Sequence, residues 1–369
     1  MSQTFDTPYL FKATDLASRS RAYTFDDVLL VPMRSRIASR FDVTLKTQFT
    51  QKHSLEIPFV AANMDTISEK EMCVAANQIG SAAILHRFMG IEEQVEQVKA
   101  IRAEKEASKR GVVAASIGVT EESKQRARAL VEAGVEVLTV DIAHGHSEAM
   151  IAMIEYLKKE YPNLEVIGGN VATPRATQDL IRAGAAAIKV GIGPGSMCTT
   201  RMITGVGMPQ LTAIAACVRA AKAEGVPIIA DGGIRTSGDA MKALAVGATS
   251  IMLGSLLAGA LETPGELARG KKLYRGMASR SAQVSWRGGQ LPEGMAPEGE
   301  SHWVSCRGPV KEILQELAGG VRSGMSYLNS RELKDLEEFA HFVEVSANCL
   351  RENQAHGLFL PDSSRNLSN

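Results

Sequence analysis

At 369 residues the chain exceeds a typical domain, yet a single α/β barrel accommodates that length. Its 41 basic residues equal its 41 acidic ones, so no basic field points to nucleic acid or an anionic membrane, and a small-molecule partner is expected. The five cysteines, Cys73, Cys198, Cys217, Cys306 and Cys349, are widely spaced without a CxxC pair, which argues against a disulfide framework or a structural zinc site and for a reducing compartment.

Residues 1–50 read as a lead-in. Their start, MSQTFDTPYLFKATD, has no basic-then-apolar leader, and no apolar run anywhere approaches the ~18 residues of a membrane span, so a cytoplasmic location is expected. The lead-in then offers YTFDDVLLVP, an apolar run stopped by Pro32, and FDVTLKTQFT, whose alternation suggests a strand closing one end of the main body. From residue 51 to 345, apolar runs rich in Val, Ile and Ala alternate with stretches of helical period. Strands are expected at 58–64, 82–88, 112–119, 135–143, 165–171, 185–193, 227–233 and 249–255. Helices are expected in segments such as EEQVEQVKAIRAEKEA, EESKQRARALVEAG, HSEAMIAMIEYLKKEY and PQLTAIAACVRAAKAEG. Nearly continuous apolar strands are buried on both faces, and eight βα units close into a (β/α)₈ TIM barrel, an α/β fold in one domain. An open doubly wound sheet would instead carry an early GxGxxG at one switch point. Residues 346–369 read as a polar tail.

In a barrel the strand C-termini carry the site. Here they present Asn63, Met64 and Asp65; His86 and Arg87; Ser116; Asp141 and His144; Asn170; the loop GIGPGSMCTTR; Asp231, Gly232 and Gly233; and Gly254 and Ser255. Helix capping accounts for any single Asp or Asn equally well, but capping does not require GPGS or DGG. Gly-Gly after a strand and Gly-Ser opening a helix let an anion approach backbone N–H groups, and late barrel strands are a common phosphate site. Asp231 can accept from ribose hydroxyls, and Tyr274 is either a donor to the phosphate or a core tyrosine. Cys198 is the candidate nucleophile; with no histidine beside it, activation falls to loop amides, to Thr200 or to the substrate itself.

GIGPGSMCTTRMITGVGMPQLTA, IADGGIRTSGD, IMLGSLLAG, YRGM and GGVRSGMSY, in that order, resemble the signature segments of the IMP dehydrogenase and GMP reductase family, from about Phe25 to about Leu333. The resemblance implies a tetrameric barrel in which Cys198 attacks C2 of GMP or IMP to form a thioimidate. It gives the nucleotide to Ser196, Asp231, Gly232, Gly233, Gly254, Ser255, Tyr274, Gly276, Met277, Ala278 and Gly299. A nicotinamide dinucleotide falls to Arg87, Asp141, Ile142, Ala143, Asn170 and Gly193, and a potassium ion to the carbonyls of Gly193, Gly195 and Cys198. Arg87 serves a cofactor phosphate or caps a helix.

The family's two activities part at the flap, residues 276–308. Dehydrogenases carry an Arg-Tyr pair there, the arginine activating water, and most insert CBS modules after the second barrel unit. This sequence has neither: QVKAIRAEKEASKRGVVAASIGV runs straight from helix to strand, and WRGGQ…PEGES resembles the shorter reductase layout. Glu298, nine residues before Arg307, matches the catalytic glutamate that reductases pair with the second threonine of CTTR, Thr200, to pass a proton to ammonia; Glu293 competes for that role. MAPEG and IMLGS read like dehydrogenases. The expectation is reductive deamination of GMP with NADPH, with NAD-dependent oxidation of IMP as the alternative and a silent nucleotide sensor as a remote one. Trp286 and Arg287 either close over the cofactor or form a solvated loop.

Overall fold

A computed structural model describes residues 10–353. Eight parallel strands close on themselves: β1 (Phe59–Ala61), β2 (Ala82–Leu85), β3 (Ala114–Ile117), β4 (Val137–Asp141), β5 (Glu165–Val171), β6 (Ala187–Val190), β7 (Ile228–Asp231) and β8 (Ser250–Leu253). Neighbours follow chain order, β8 pairing with β1 (Ile251 opposite Phe59, Met252 opposite Val60) to complete the ring. The expected (β/α)₈ barrel is therefore present, with no large insert. β5 keeps its expected bounds; β6 and β7 stop short of their expected ends where glycines take over, Gly191 and Gly193 after β6 and Gly232 and Gly233 after β7, all with positive φ, which ladder geometry does not use.

Two layers of apolar side chains hold the barrel. Inside, Val60, Ile84, Ala114, Val137, Ile167, Ala187, Ile229 and Met252 meet one another. Phe49 and Leu55, from the hairpin pairing Thr47–Gln48 with Ser54–Leu55, plug the N-terminal end of that interior. The expected closing strand is thus only two residues long, since Arg40–Asp42 winds into a 3-10 turn first. Outside, apolar faces of helices such as Ile91–Ser108, Glu148–Glu160 and Gln210–Ala221 cover the ring.

The lead-in does not stand apart. Leu10–Lys12 and Val28–Leu30 flank His341–Glu344 in an antiparallel three-stranded sheet, and the Tyr23 amide donates to Thr212 on the barrel's helix layer. Of the expected polar tail, the part beyond residue 353 lies outside the described residues. Among the described residues no helix is long and apolar enough to cross a membrane.

Candidate active site

Strand parity decides what enters the barrel mouth. Side chains at i and i+2 share a face, so the interior positions Val137, Ala187 and Ile229 put Asp141, Lys189 and Asp231 on the same inward face, above the core. The register of β5 on β6 shifts there: Lys189 lies opposite Gly169 and Val190 opposite Val171. Asn170 is the extra residue of this bulge, and bulges re-aim side chains toward sites. Its amide donates to the Gly191 carbonyl and to Asp231, both at 2.8 Å.

Above this floor opens a cavity of about 340 Å³, within the range of small-molecule sites. Every residue that the family resemblance gives to the nucleotide, the dinucleotide, the potassium ion or the proton relay lines it except Gly299. A Cβ on Gly299 would stand 3.1 Å from the Met197 carbonyl and from the Ser279 amide; its lack of a side chain serves the packing of the flap onto the cysteine loop, not ligand contact. Of the other strand-end candidates, Asn63 and Met64 line the cavity, whereas Asp65, His86, Ser116 and His144 do not. Asp65 pairs with Arg275 (2.5 Å), His86 with Glu69 (3.1 Å), and Ser116 donates to the Leu85 carbonyl (2.9 Å).

The cysteine loop is tied to the returning flap. Thr199 N–H donates to the Glu298 carbonyl (3.2 Å) and Glu300 N–H to the Met197 carbonyl (2.9 Å), with Cys198 bridged to Gly299 between them. This short antiparallel contact sets Glu298 beside Thr200. The Cys198 thiol donates to Thr200 Oγ1 at 3.1 Å, and that hydroxyl donates to Glu298 Oε2 at 2.7 Å. The line from sulfur through hydroxyl to carboxylate is a proton path, so of the three activation routes open from sequence the geometry provides the one through Thr200. Glu293 is exposed and does not line the cavity.

On the other wall, a Cβ on Gly254 would meet the Tyr274 hydroxyl at 2.8 Å, and that hydroxyl lies 3.3 Å from Ser196 Oγ. Burial raises the Tyr274 phenol above its ordinary pKa, keeping it a neutral donor. Gly232 and Gly233, with φ of 93° and 81°, turn their backbone toward the same corner. Hydroxyls and close-approach glycines suit a phosphate. Met64, Met197, Met252 and Ile234 add apolar lining to the cavity, suited to a flat base.

The wall toward β2–β5 holds Arg87, Asp141, Ile142, Ala143 and Asn170. Arg87 donates to the Asp141 backbone carbonyl at 3.4 Å. Asp141 receives Asn63 at 2.8 Å and Lys189 at 2.8 Å; burial pushes its carboxyl up, but Lys189, Asn63 and Arg87 outweigh this and hold it below the ordinary carboxylate range. Asn170 Oδ1 is buried without a partner, so an N–H or O–H of a ligand would satisfy it; this orphaned acceptor is what makes the wall fit a dinucleotide. The Gly195 carbonyl accepts from Cys198 N–H at 3.0 Å and keeps a second lone pair, and loop carbonyls are the donor type that potassium takes.

Sequence reasoning missed Lys189, Phe88 and Gln283. Lys189 carried a readable signal, a single charge in an apolar strand. Phe88 and Gln283 carried none, because they matter through tertiary contact: Trp286 stacks on Phe88 (5.3 Å between centroids, 14°), and Gln283 donates to the Met277 carbonyl (2.8 Å). The flap helix Arg280–Trp286 is thereby docked over the Arg87 side of the cavity. Trp286 is half-buried on that seat, while Arg287 is exposed.

Residues 22–356 match the family model for the IMP dehydrogenase / GMP reductase domain. The chain is 40% identical to the inosine-5'-monophosphate dehydrogenase of Cryptosporidium parvum, over 94% of this chain and 98% of that one. It is 38% identical to the enzyme of the same name from Borreliella burgdorferi, covering 92% and 97%. In three dimensions it superposes on the crystal structure of a GMP reductase from Trypanosoma brucei in complex with guanosine 5'-monophosphate, with a TM-score of 0.85, 32% identity and coverage of 93% and 99%.

Proposed function

The chain belongs to the IMP dehydrogenase / GMP reductase family, and from that premise we propose that it is a purine-nucleotide oxidoreductase working as a GMP reductase, converting GMP to IMP and ammonia with NADPH. One observation carries the choice of reductase. The arginines of the flap, Arg280, Arg287 and Arg307, are all exposed and none lines the cavity, so no flap arginine stands beside Cys198 to activate water as the dehydrogenase mechanism requires. The position next to the thiol is held instead by Thr200 and Glu298.

In this reading Ser196, Gly233, Gly254, Ser255 and Tyr274 hold the phosphate, Asp231 the ribose, and Gly232, Gly276, Met277 and Ala278 the base side. Cys198 Sγ attacks C2 while its proton passes through Thr200 to Glu298. The same relay returns a proton to the amino group; the C2–N bond breaks, ammonia leaves, and the thioimidate remains. Arg87, Asp141, Ile142, Ala143, Asn170 and Gly193 hold the dinucleotide, which when bound supplies the hydride for C2. The docked flap excludes water from the thioimidate, and Cys198 leaves as thiolate when IMP forms. A potassium ion on the carbonyls of Gly193, Gly195 and Cys198 belongs to the same reading. So does a homotetramer, in which Met202, Ile203 and Val206, exposed just after the cysteine loop, are covered.

The dehydrogenase reading is favoured by the relatives: those of Cryptosporidium parvum and Borreliella burgdorferi carry that name and align almost end to end with this chain. Absence of an insert therefore does not separate the activities. Offering the protein GMP with NADPH and, separately, IMP with NAD does. Consumption of NADPH supports the reductase; NADH formed from IMP with no use of NADPH overturns it.

A further inference from the structure

The charged group closest to both halves of the cavity is one that no chemical step above uses. The Lys189 side chain is 4% exposed, and its ammonium lies 2.8 Å from Asp141 Oδ1 and 2.6 Å from Asp231 Oδ2. The stem passes under Gly169, where a Cβ would meet Lys189 Cβ at 2.6 Å, so only glycine leaves it room. Asn63 donates to the other oxygen of Asp141, Oδ2, whereas Asn170 donates to the same Asp231 Oδ2 that the ammonium holds. Arg87 donates to the Asp141 backbone carbonyl, and Tyr274 lines the same cavity as Asp231. A buried ammonium with two carboxylates is fully paired, whereas either carboxylate without it would face a like charge.

We infer that Lys189 is a positioning residue that fixes Asp141 and Asp231 as a pair of ionised acceptors and so couples the substrate-ribose side of the cavity to the cofactor side. The inference rests on the functional reading only in giving Asp231 to one nucleotide and Asp141 to the other. Both carboxylates lean on one cation, so a hydroxyl that takes hydrogen-bonding capacity from one alters how firmly Lys189 holds the other. Such coupling is reciprocal, and typical coupling is about 5–150-fold.

The test is Lys189→Met, which keeps the stem and removes the charge, with binding of GMP and of NADPH read separately by calorimetry beside steady-state turnover. The variant is expected to bind both ligands about tenfold or more weakly at neutral pH. Without the ammonium each carboxylate disfavours ionisation of the other, so the variant's affinities should rise with pH above the ordinary carboxylate range while those of the wild type do not. Lys189→Arg should restore much of the loss and abolish the pH dependence. The double variant Lys189→Met/Asp141→Asn has no like-charge pair left; it should bind GMP within about threefold of wild type and NADPH about tenfold or more weakly. A single variant that binds both ligands like wild type at every pH overturns the inference, as does a double variant that loses both equally. The double variant decides the matter if the single one does not fold. Wild-type protein that binds but turns over neither substrate pair contradicts the functional reading, not this one.

Discussion

Replacing Glu298 by glutamine isolates the proton relay. The carboxylate accepts from Thr200 Oγ1 at 2.7 Å, and Thr200 accepts from the Cys198 thiol at 3.1 Å. A glutamine fits the same space, and its carbonyl oxygen can still accept from Thr200, so the bridge of the flap to the cysteine loop is expected to survive. What is lost is the group that takes up and returns a proton. A positioned acid–base residue is worth about 10²–10⁴ in rate, or about 2.7–5.4 kcal/mol of transition-state stabilisation. The kcat of Glu298→Gln should fall by that factor, with GMP affinity changed less than about threefold because the phosphate and ribose contacts are intact. Rapid mixing with GMP in the absence of cofactor locates the effect: the ammonia burst should slow with kcat. Glu293→Gln, on the exposed part of the flap, is the control and should leave kcat unchanged. A Glu298→Gln enzyme keeping more than about a third of wild-type kcat, or a Glu293→Gln enzyme with the larger loss, would refute the relay.

Cys198→Ser should leave GMP binding within a few-fold of wild type and abolish both turnover and the GMP-dependent mass adduct on the protein; residual turnover above about one part in a thousand would argue against covalent catalysis. Gly254→Ala forces a methyl to 2.8 Å from the Tyr274 hydroxyl and 3.3 Å from Met64 Sδ, so the KM for GMP should rise by about tenfold or more with a smaller change in kcat, while an unchanged KM would remove Gly254 from the phosphate corner. Asp141 titrates below its ordinary value, so its contribution to stability is complete above the unfolded carboxylate pKa of about 3.9 and is lost as pH falls through the lower folded value. The melting temperatures of wild type and Asp141→Asn should accordingly converge on acidification below that point, and a constant difference down to the lowest pH would contradict the assignment.

The barrel was legible because each strand is a mainly apolar run too short for a helix, the pattern of a strand buried on both faces. Strand ends were less so. Asn63, Asp65, His86 and Ser116 look alike in sequence as polar residues after apolar runs, and only side-chain direction separates Asn63, which enters the cavity, from Asp65, which turns to Arg275. Lys189 was within reach of strand parity: a lysine two residues past an inward alanine needs a buried counter-charge, and Asp141 and Asp231 end other strands of the same ring. Glu298 was already preferred over Glu293 by its spacing to Arg307, but the antiparallel contact of the flap with residues 197–199 that sets it beside Thr200 is a tertiary pairing with no local signature. The seat of Trp286 on Phe88 was unreadable for the same reason.

The central claim is that the Cys198 adduct at C2 loses ammonia and then accepts hydride. Products of GMP with NADPH, quantified together, test it most directly. IMP, ammonia and oxidised cofactor are expected in equal amounts, with no turnover of IMP with NAD comparable to that rate; XMP and NADH formed from IMP, with GMP left unchanged, would contradict the reductase.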